Sequence, residues 1–210
     1  MLNNKNKEYL IENFKKSIKS TVKAISNKKD VNIQFGNDED NKSNNISLSP
    51  ISFNESLSNK EIIRGESDSA SLVERYHNPK IHKEFLPSDK FHQKIFNELE
   101  YLRCEIIGSN KMRGVKKNID FLENSIIKNK IKNKEKLNVD KTFKLAIKKN
   151  ILSQNIEKKI KDNSDPILTK ILNVINDSKI SFNNSLKNQR DFSKLSMNLI
   201  NSVYEETQNN

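Results

Sequence analysis

The residue types that most often do chemistry are concentrated in residues 61–118. All three histidines and the only cysteine, Cys104, lie in this stretch, together with four of the five arginines. Elsewhere the positive charge comes almost entirely from lysine. An arginine kept in such a lysine-rich chain indicates a site that needs its planar fork of donors, which an ammonium group cannot replace. We therefore expect the functional residues within 61–118.

The three histidines could bind a metal ion. His77 and His82 flank a segment that contains Pro79, and His92 lies at the start of the next predicted helix. Three imidazoles could thus converge on zinc or cobalt. Their spacing matches no closed metal motif, and neither the cysteine nor an obvious carboxylate completes one. We predict structural or interface histidines and no metal site, with a freestanding metalloprotein as an alternative.

Four charged residues, Glu98, Glu100, Arg103 and Glu105, form one face of a predicted helix. Glu100 and Arg103 are i, i+3 neighbours, and Glu98 and Glu105, seven positions apart, share a side. A surface ion-pair cluster accounts for this pattern, and such clusters usually contribute little stability. A pair of carboxylates acting as acid and base is the alternative interpretation.

Motifs for nucleotide-dependent or metal-dependent catalysis are incomplete in this sequence. The phosphate-binding pattern Gly-x-x-x-x-Gly-Lys-Ser/Thr is absent. Asp68-Ser-Ala-Ser departs from the Asp-x-Ser-x-Ser metal-adhesion pattern because residue 70 is Ala. We predict no catalytic residues in this chain.

The elements that position this stretch are predicted to be helices. Glycine and proline number four each, which argues against a turn-rich β-sandwich. Gly108 is placed as the C-terminal stop of the clearest helix. The apolar stripe of that helix consists of Phe91, Ile95, Leu99, Leu102 and Ile106.

A second helix is predicted just upstream. Ser58 and Glu61 form a capping box, which predicts a helix over residues 59–76. Asn78-Pro79 is predicted to end it, with a loop through Pro87 before the next helix.

The rest of the chain predicts a mainly α, multi-helix domain with a small β element. Alternating apolar residues indicate a β-hairpin-like element near residues 31–49. Further helices are predicted over residues 6–26, from about Ser109, around Phe143, over 152–160, from Pro166, and over 192–203.

The same patterns suggest a domain organisation. We predict an N-terminal helical module over 1–127, a charged linker over 128–138, C-terminal helices of the same domain over 139–204, and a polar tail over 205–210.

Two glycines, Gly65 and Gly114, fall inside helical patterns, where each costs about 1 kcal/mol relative to Ala. Close packing between helices is the first interpretation of both. Close approach by the backbone of a partner is the second.

The net charge of +11 suggests nucleic acid or another anionic partner. However, the lysines are spread along the chain without the interleaved aromatic residues that stack bases, so a basic nucleic-acid-binding protein is the alternative. One cysteine, no apolar signal segment and no stretch of about 20 apolar residues predict a soluble, cytoplasmic protein.

The central stretch resembles the N-terminal region of the CobT subunit of aerobic cobaltochelatase. The resemblance is carried by four groups of residues. These are Arg64-Gly65-x-x-Asp68, Tyr76-His77 with His82 and Pro87, Phe96-x-x-x-Glu100-x-x-Arg103-x-Glu105-x-x-Gly108, and Met112-x-Gly114-x-x-x-Asn118.

This resemblance implies a part in cobalamin biosynthesis. In that family the subunit works with an AAA+ ATPase and a large chelatase subunit, in an oligomeric complex that inserts cobalt into hydrogenobyrinic acid a,c-diamide. It implies an assembly or coupling component, with no cofactor of its own in a complex that uses ATP, magnesium and cobalt. Family members continue into a von Willebrand type A domain that this chain does not contain, so we expect a fragment or a short form.

The resemblance also suggests which residues contact partners. Reversing the charge of Arg103 is predicted to weaken assembly more than it lowers the melting temperature. The candidate contacts are Arg64, Gly65, Asp68, Arg75, His77, His82, Glu98, Glu100, Arg103, Glu105, Gly108, Met112, Gly114 and Asn118.

Overall fold

A computed structural model describes residues 4–36, 45–51, 58–152, 166–177 and 182–205 of the chain. Within these ranges the protein is mainly α-helical, with one small two-stranded sheet, as predicted. The elements, numbered in chain order, are α1 (Asn4–Ser26), β1 (Asn32–Phe35), β2 (Asn45–Leu48), α2 (Ser58–Tyr76), α3 (Pro79–Phe85), α4 (Lys90–Ser109), α5 (Arg113–Lys132), α6 (Val139–Leu152), α7 (Pro166–Asp177), α8 (Phe182–Ser185) and α9 (Gln189–Glu205).

The small sheet differs from the predicted hairpin in its direction. β1 and β2 pair in parallel, with Ile33 opposite Ile46 and Phe35 opposite Leu48. A tight turn can join only antiparallel strands, so the hairpin interpretation was wrong even though both strands were placed correctly. Alternation fixes which side chains point to the core, but it does not fix the direction of pairing.

The segment after α2 is helical where a loop was predicted. Asn78 caps α3 because its Oδ1 accepts hydrogen bonds from the backbone N–H of Lys80 at 3.0 Å and of Ile81 at 3.4 Å. Pro79 then occupies the first turn, where its missing N–H does no harm. The Asn-Pro pair therefore ends one helix and also starts the next.

Gly108 does not stop α4, which continues to Ser109. A Cβ at Gly108 would lie 2.2 Å from Leu72 Cδ2. The glycine is there because α2 and the end of α4 pack closely, and not because the helix ends in a left-handed turn.

The chain divides into two compact units, each built from two segments. The first comprises Met1–Tyr76 and Gly108–Lys128. Its core is formed by α1, α2 and the sheet, through the buried side chains Phe14, Ile18, Val22, Val31, Ile46, Leu48 and Ile63.

The second unit comprises His77–Ile107 and Asn129–Asn210. Its core joins α4 to the helices of the last third of the chain. Four phenylalanines are almost completely buried there, each stabilising the fold by roughly 1.5–3 kcal/mol relative to an exposed ring: Phe96, Phe143, Phe182 and Phe192.

Several helix predictions from the sequence are confirmed. The helices predicted over 6–26 and 59–76 are α1 and α2, and Pro166 begins α7. The helix expected from Ser109 begins at Arg113, and it continues to Lys132, into the predicted linker. The helix predicted over 152–160 lies almost wholly outside the described residues, as does the tail after Glu205.

No helix in the described ranges combines the length and apolar character needed to cross a bilayer.

Candidate functional site

The second unit contains a buried ion pair. On α4, Arg103 Nε donates to Glu100 Oε2 at 2.8 Å and Arg103 Nη2 donates to Glu100 Oε1 at 2.7 Å. Both residues are only 2% exposed. The interpretation of this face as a surface ion-pair cluster was wrong for Glu100, Arg103 and Glu105, because all three are buried. Helical spacing predicts which side chains meet, but not whether another helix covers them.

Residues distant in the sequence complete the hydrogen bonding of this pair. Arg103 Nη1 donates to the backbone carbonyl of Leu186 at 3.2 Å, and Nη2 lies 3.3 Å from Gln189 Oε1. Gln189 in turn makes two hydrogen bonds to the backbone of Asn78. Its Oε1 accepts from the Asn78 N–H at 2.8 Å, and its Nε2 donates to the Asn78 carbonyl at 3.0 Å. The arginine fork therefore ties α4 to the start of α9.

Histidine 77 joins the same network. His77 Nδ1 lies 3.0 Å from Glu100 Oε1 and 3.5 Å from Gln189 Nε2. Burial raises the pKa of Glu100, but the hydrogen bonds from Arg103 and His77 lower it more, so the net pKa is below its ordinary value. Glu100 is thus held as a carboxylate and cannot serve as a general acid near neutral pH.

The cysteine beside this pair is not a nucleophile. Cys104 is buried, and its Sγ lies 3.6 Å from Glu100 Oε1. Burial, followed by the negative charge of Glu100, raises the pKa of the thiol. A thiol that stays protonated is unreactive, so Cys104 acts as a small core residue.

The three histidines do not converge. The His77 and His82 rings meet edge to face with centroids 4.8 Å apart, and His82 Nε2 lies 2.8 Å from Asn97 Oδ1. His92 instead contacts Asp89 and the Tyr204 ring. In the described part of the chain no group of three His, Cys, Asp or Glu side chains is placed to hold a metal ion.

The other two carboxylates of α4 are neutralised by lysines of α6. Lys144 Nζ lies 2.9 Å from Glu105 Oε2 and 3.8 Å from Glu98 Oε2, and Lys141 Nζ lies 2.7 Å from Glu98 Oε1. Paired with cations in this way, Glu98 and Glu105 hold helices together and are not arranged as an acid and a base. Because the lysines are about 40 positions away in sequence, local spacing could not reveal them.

In the first unit, the candidate residues cluster where α2 packs on α5. The buried carboxylate of Asp68 accepts a hydrogen bond from Asn118 Nδ2 at 2.8 Å, and burial raises the pKa of Asp68. A Cβ at Gly65 would lie 2.6 Å from Leu122 Cβ and 2.7 Å from the Asn118 carbonyl oxygen. The packing interpretation of Gly65 is confirmed, since only a glycine lets the two helices approach this closely.

Gly114 differs from Gly65. A Cβ added at Gly114 would meet no atom of the described chain within 4 Å, so packing within the chain does not explain this glycine. The packing interpretation of Gly114 was therefore wrong, and approach by a partner is the interpretation that remains.

Burial separates the fourteen candidate contact residues into three groups. The buried ones, which serve the fold, are Gly65, Asp68, Glu100, Arg103, Glu105 and Gly108. The half-buried ones are His77, His82, Glu98, Met112 and Asn118. The exposed ones, which can touch a partner directly, are Arg64, Arg75 and Gly114.

Comparison with known proteins gives the family of this chain. No solved structure matches it. A family profile described as cobalamin biosynthesis protein CobT matches residues 9–209, which covers segments of both units. The chain therefore belongs to the CobT family of cobalamin biosynthesis proteins.

Proposed function

We propose that this chain is the N-terminal module of the CobT subunit of the ATP-dependent aerobic cobaltochelatase. The observation that carries the proposal is the family match over residues 9–209. In this proposal the chain assembles with an AAA+ ATPase subunit and with the large chelatase subunit. Cobalt is the substrate of the complex, and ATP and magnesium are used by the partners.

The work assigned to this chain is assembly or coupling. Three features of the described residues support that role over catalysis. Glu100 is fixed in an ion pair, Glu98 and Glu105 are paired with lysines, and Cys104 is buried as a thiol. Residues that could have been catalytic by sequence are thus engaged in contacts within the fold, which supports a scaffold role.

The partner contacts in this proposal come from exposed residues of the first unit. Arg64 is exposed on α2, with its guanidinium carbon 5.6 Å from the centre of the Phe14 ring. Phe14 lies in the core of this unit, so the position of Arg64 is fixed by the fold while its donors face solvent. A pre-positioned arginine of this kind is typical of protein interfaces.

Sedimentation of the chain with the AAA+ subunit, with and without ATP, tests the proposal. We expect a complex whose stability depends on ATP. Arg64→Glu should weaken that complex by more than its small loss of stability explains, because Arg64 also contacts the Phe14 ring. Lys128→Glu makes the same charge change at an exposed position outside residues 61–118 and should leave assembly unchanged.

Independent sedimentation of the two proteins in both nucleotide states would contradict the proposed function. Equal weakening by Arg64→Glu and Lys128→Glu would retain a complex but would remove Arg64 from its interface.

A further inference from the structure

Gly114 lacks the structural reasons that account for the other glycines. Gly36 has a positive φ of 82°, and Gly65 and Gly108 are crowded by neighbouring atoms. Gly114 has no positive φ, is exposed, and has open space around its missing Cβ among the described residues. Gly114 is the second residue of α5, and neither crowding nor a left-handed backbone accounts for a glycine there. Glycine is otherwise kept where another backbone approaches closely.

The surroundings of Gly114 are cationic. The Tyr76 ring has the Arg75 guanidinium 5.7 Å and the Lys111 ammonium 5.2 Å from its centre. Lys111 Nζ also lies 3.4 Å from the Tyr76 hydroxyl, which holds the lysine beside the start of α5. We name the Gly114 surface by its residues: Arg75, Tyr76, Lys111, Arg113, Gly114 and Lys117.

The residues that define this surface include four cations and no acidic side chain. The first turn of α5 contains none. Glu74, next to Arg75 on α2, lies 2.6 Å from Lys28 and is already paired. The cations at positions 75, 111, 113 and 117 are all exposed. A surface on which exposed cations predominate favours a partner of the opposite charge.

We propose that the Gly114 surface binds an acidic segment of a partner protein, whose main chain packs against α5 at Gly114 while its carboxylates reach the surrounding cations. A protein fits better than a nucleic acid because the surface offers one aromatic ring and no series of rings on which bases could stack. The inference deepens the proposed function by naming the contact surface. Its test needs neither the ATPase nor the chelatase subunit, so the two proposals can fail separately.

The test is a titration of the ¹⁵N-labelled full chain with an acetylated peptide of alternating glutamate and alanine blocks. We expect saturable shifts of the Gly114 and Lys111 amide signals. Gly114→Leu should weaken binding about tenfold, which corresponds to about 1.4 kcal/mol, while its melting temperature stays at or above that of the parent. A role confined to the fold would not produce that combination.

Two charge-matched variants separate this surface from the general attraction of a basic protein for an acidic peptide. Lys111→Gln should weaken binding, whereas Lys128→Gln, which removes the same charge from the far part of α5, should not. Equal affinity of Gly114→Leu and the parent would overturn the proposal, as would the absence of saturable shifts. Tighter binding of a single-stranded DNA oligonucleotide at the same amides would overturn it in favour of a nucleic-acid surface.

Discussion

At the scale of single residues, Arg103 and Glu100 neutralise each other where water is excluded. Two charges taken out of water cost several kcal/mol each, and only mutual attraction with complete hydrogen bonding offsets that cost. Here the guanidinium uses both oxygens of Glu100, the Leu186 carbonyl and Gln189. These hydrogen bonds join α4 to the start of α9, while a buried pair of this kind is weak evidence of net stability.

Removing one partner of this pair should be severe. Arg103→Met leaves Glu100 buried without its main counter-charge, and we expect the free energy of unfolding to fall by about 3–5 kcal/mol. Urea unfolding measures the loss. Arg190→Met provides the control, because Arg190 pairs with Glu84 at the surface and should change stability little. The burial of Arg103 also changes the expectation for Arg103→Glu. That variant was expected to weaken assembly more than stability, but it should now unfold the second unit.

The His82 side chain predicts a pH dependence of stability. Burial lowers the pKa of His82 below its ordinary value of 6.5, so the unfolded chain binds this proton more readily than the folded chain. Stability contributed by neutral His82 is therefore present above pH 6.5 and is lost as the pH falls below it. Melting temperatures between pH 7.5 and 5.5 should decline less in His82→Asn than in the parent. Parallel declines in the variant and the parent would show that groups other than His82 control stability in this pH range. Glu100 is not one of the expected groups, because its ordinary pKa of 4.5 lies below the range.

At the scale of elements, Gly65 on α2 and Gly114 on α5 lead to opposite predictions. Gly65→Ala places a methyl group within 2.7 Å of the α5 backbone, so α2 must move, and we expect a loss of about 1–3 kcal/mol. Gly114→Ala meets nothing and should be neutral or stabilising by up to about 1 kcal/mol. Chemical denaturation of both variants in parallel checks the pair. Similar destabilisation by the two substitutions would mean that the surroundings of Gly114 are not open.

Elements were more predictable from the sequence than the contacts between them. The signals for α1, α2 and α4 are local: apolar spacing placed α1 and α4, and the capping box with the following Asn-Pro pair placed α2. Three other features depend on residues far apart in sequence. They are the direction of β1 and β2, the lysine partners of Glu98 and Glu105, and the hydrogen bonds between Gln189 and Asn78. Likewise, a glycine in a helix has the same sequence pattern whether it is crowded, like Gly65, or open, like Gly114.

At the scale of the whole molecule, the family match spans segments of both units, so family membership is a property of the chain and not of one unit alone. The candidate site divides in the same way. Buried candidates such as Glu100 and Asp68 stabilise one unit each, while exposed Arg64, Arg75 and Gly114 belong to the first unit alone. Sequence resemblance singled out candidates within residues 61–118, and burial then separated those that build the fold from those that face solvent.

The interleaved segments of the two units determine the order in which the chain can fold as it is synthesised. The first unit is complete once Lys128 has left the ribosome, because both of its segments end by that point. The second unit cannot be complete then, since the apolar side chains of residues 77–107 must wait for Asn129–Asn210. During that interval Phe96 and Leu99 of α4 lack the helices that later cover them. The newly made chain should therefore be most prone to aggregate, and most dependent on chaperones, after the first unit is complete and before the second unit is complete.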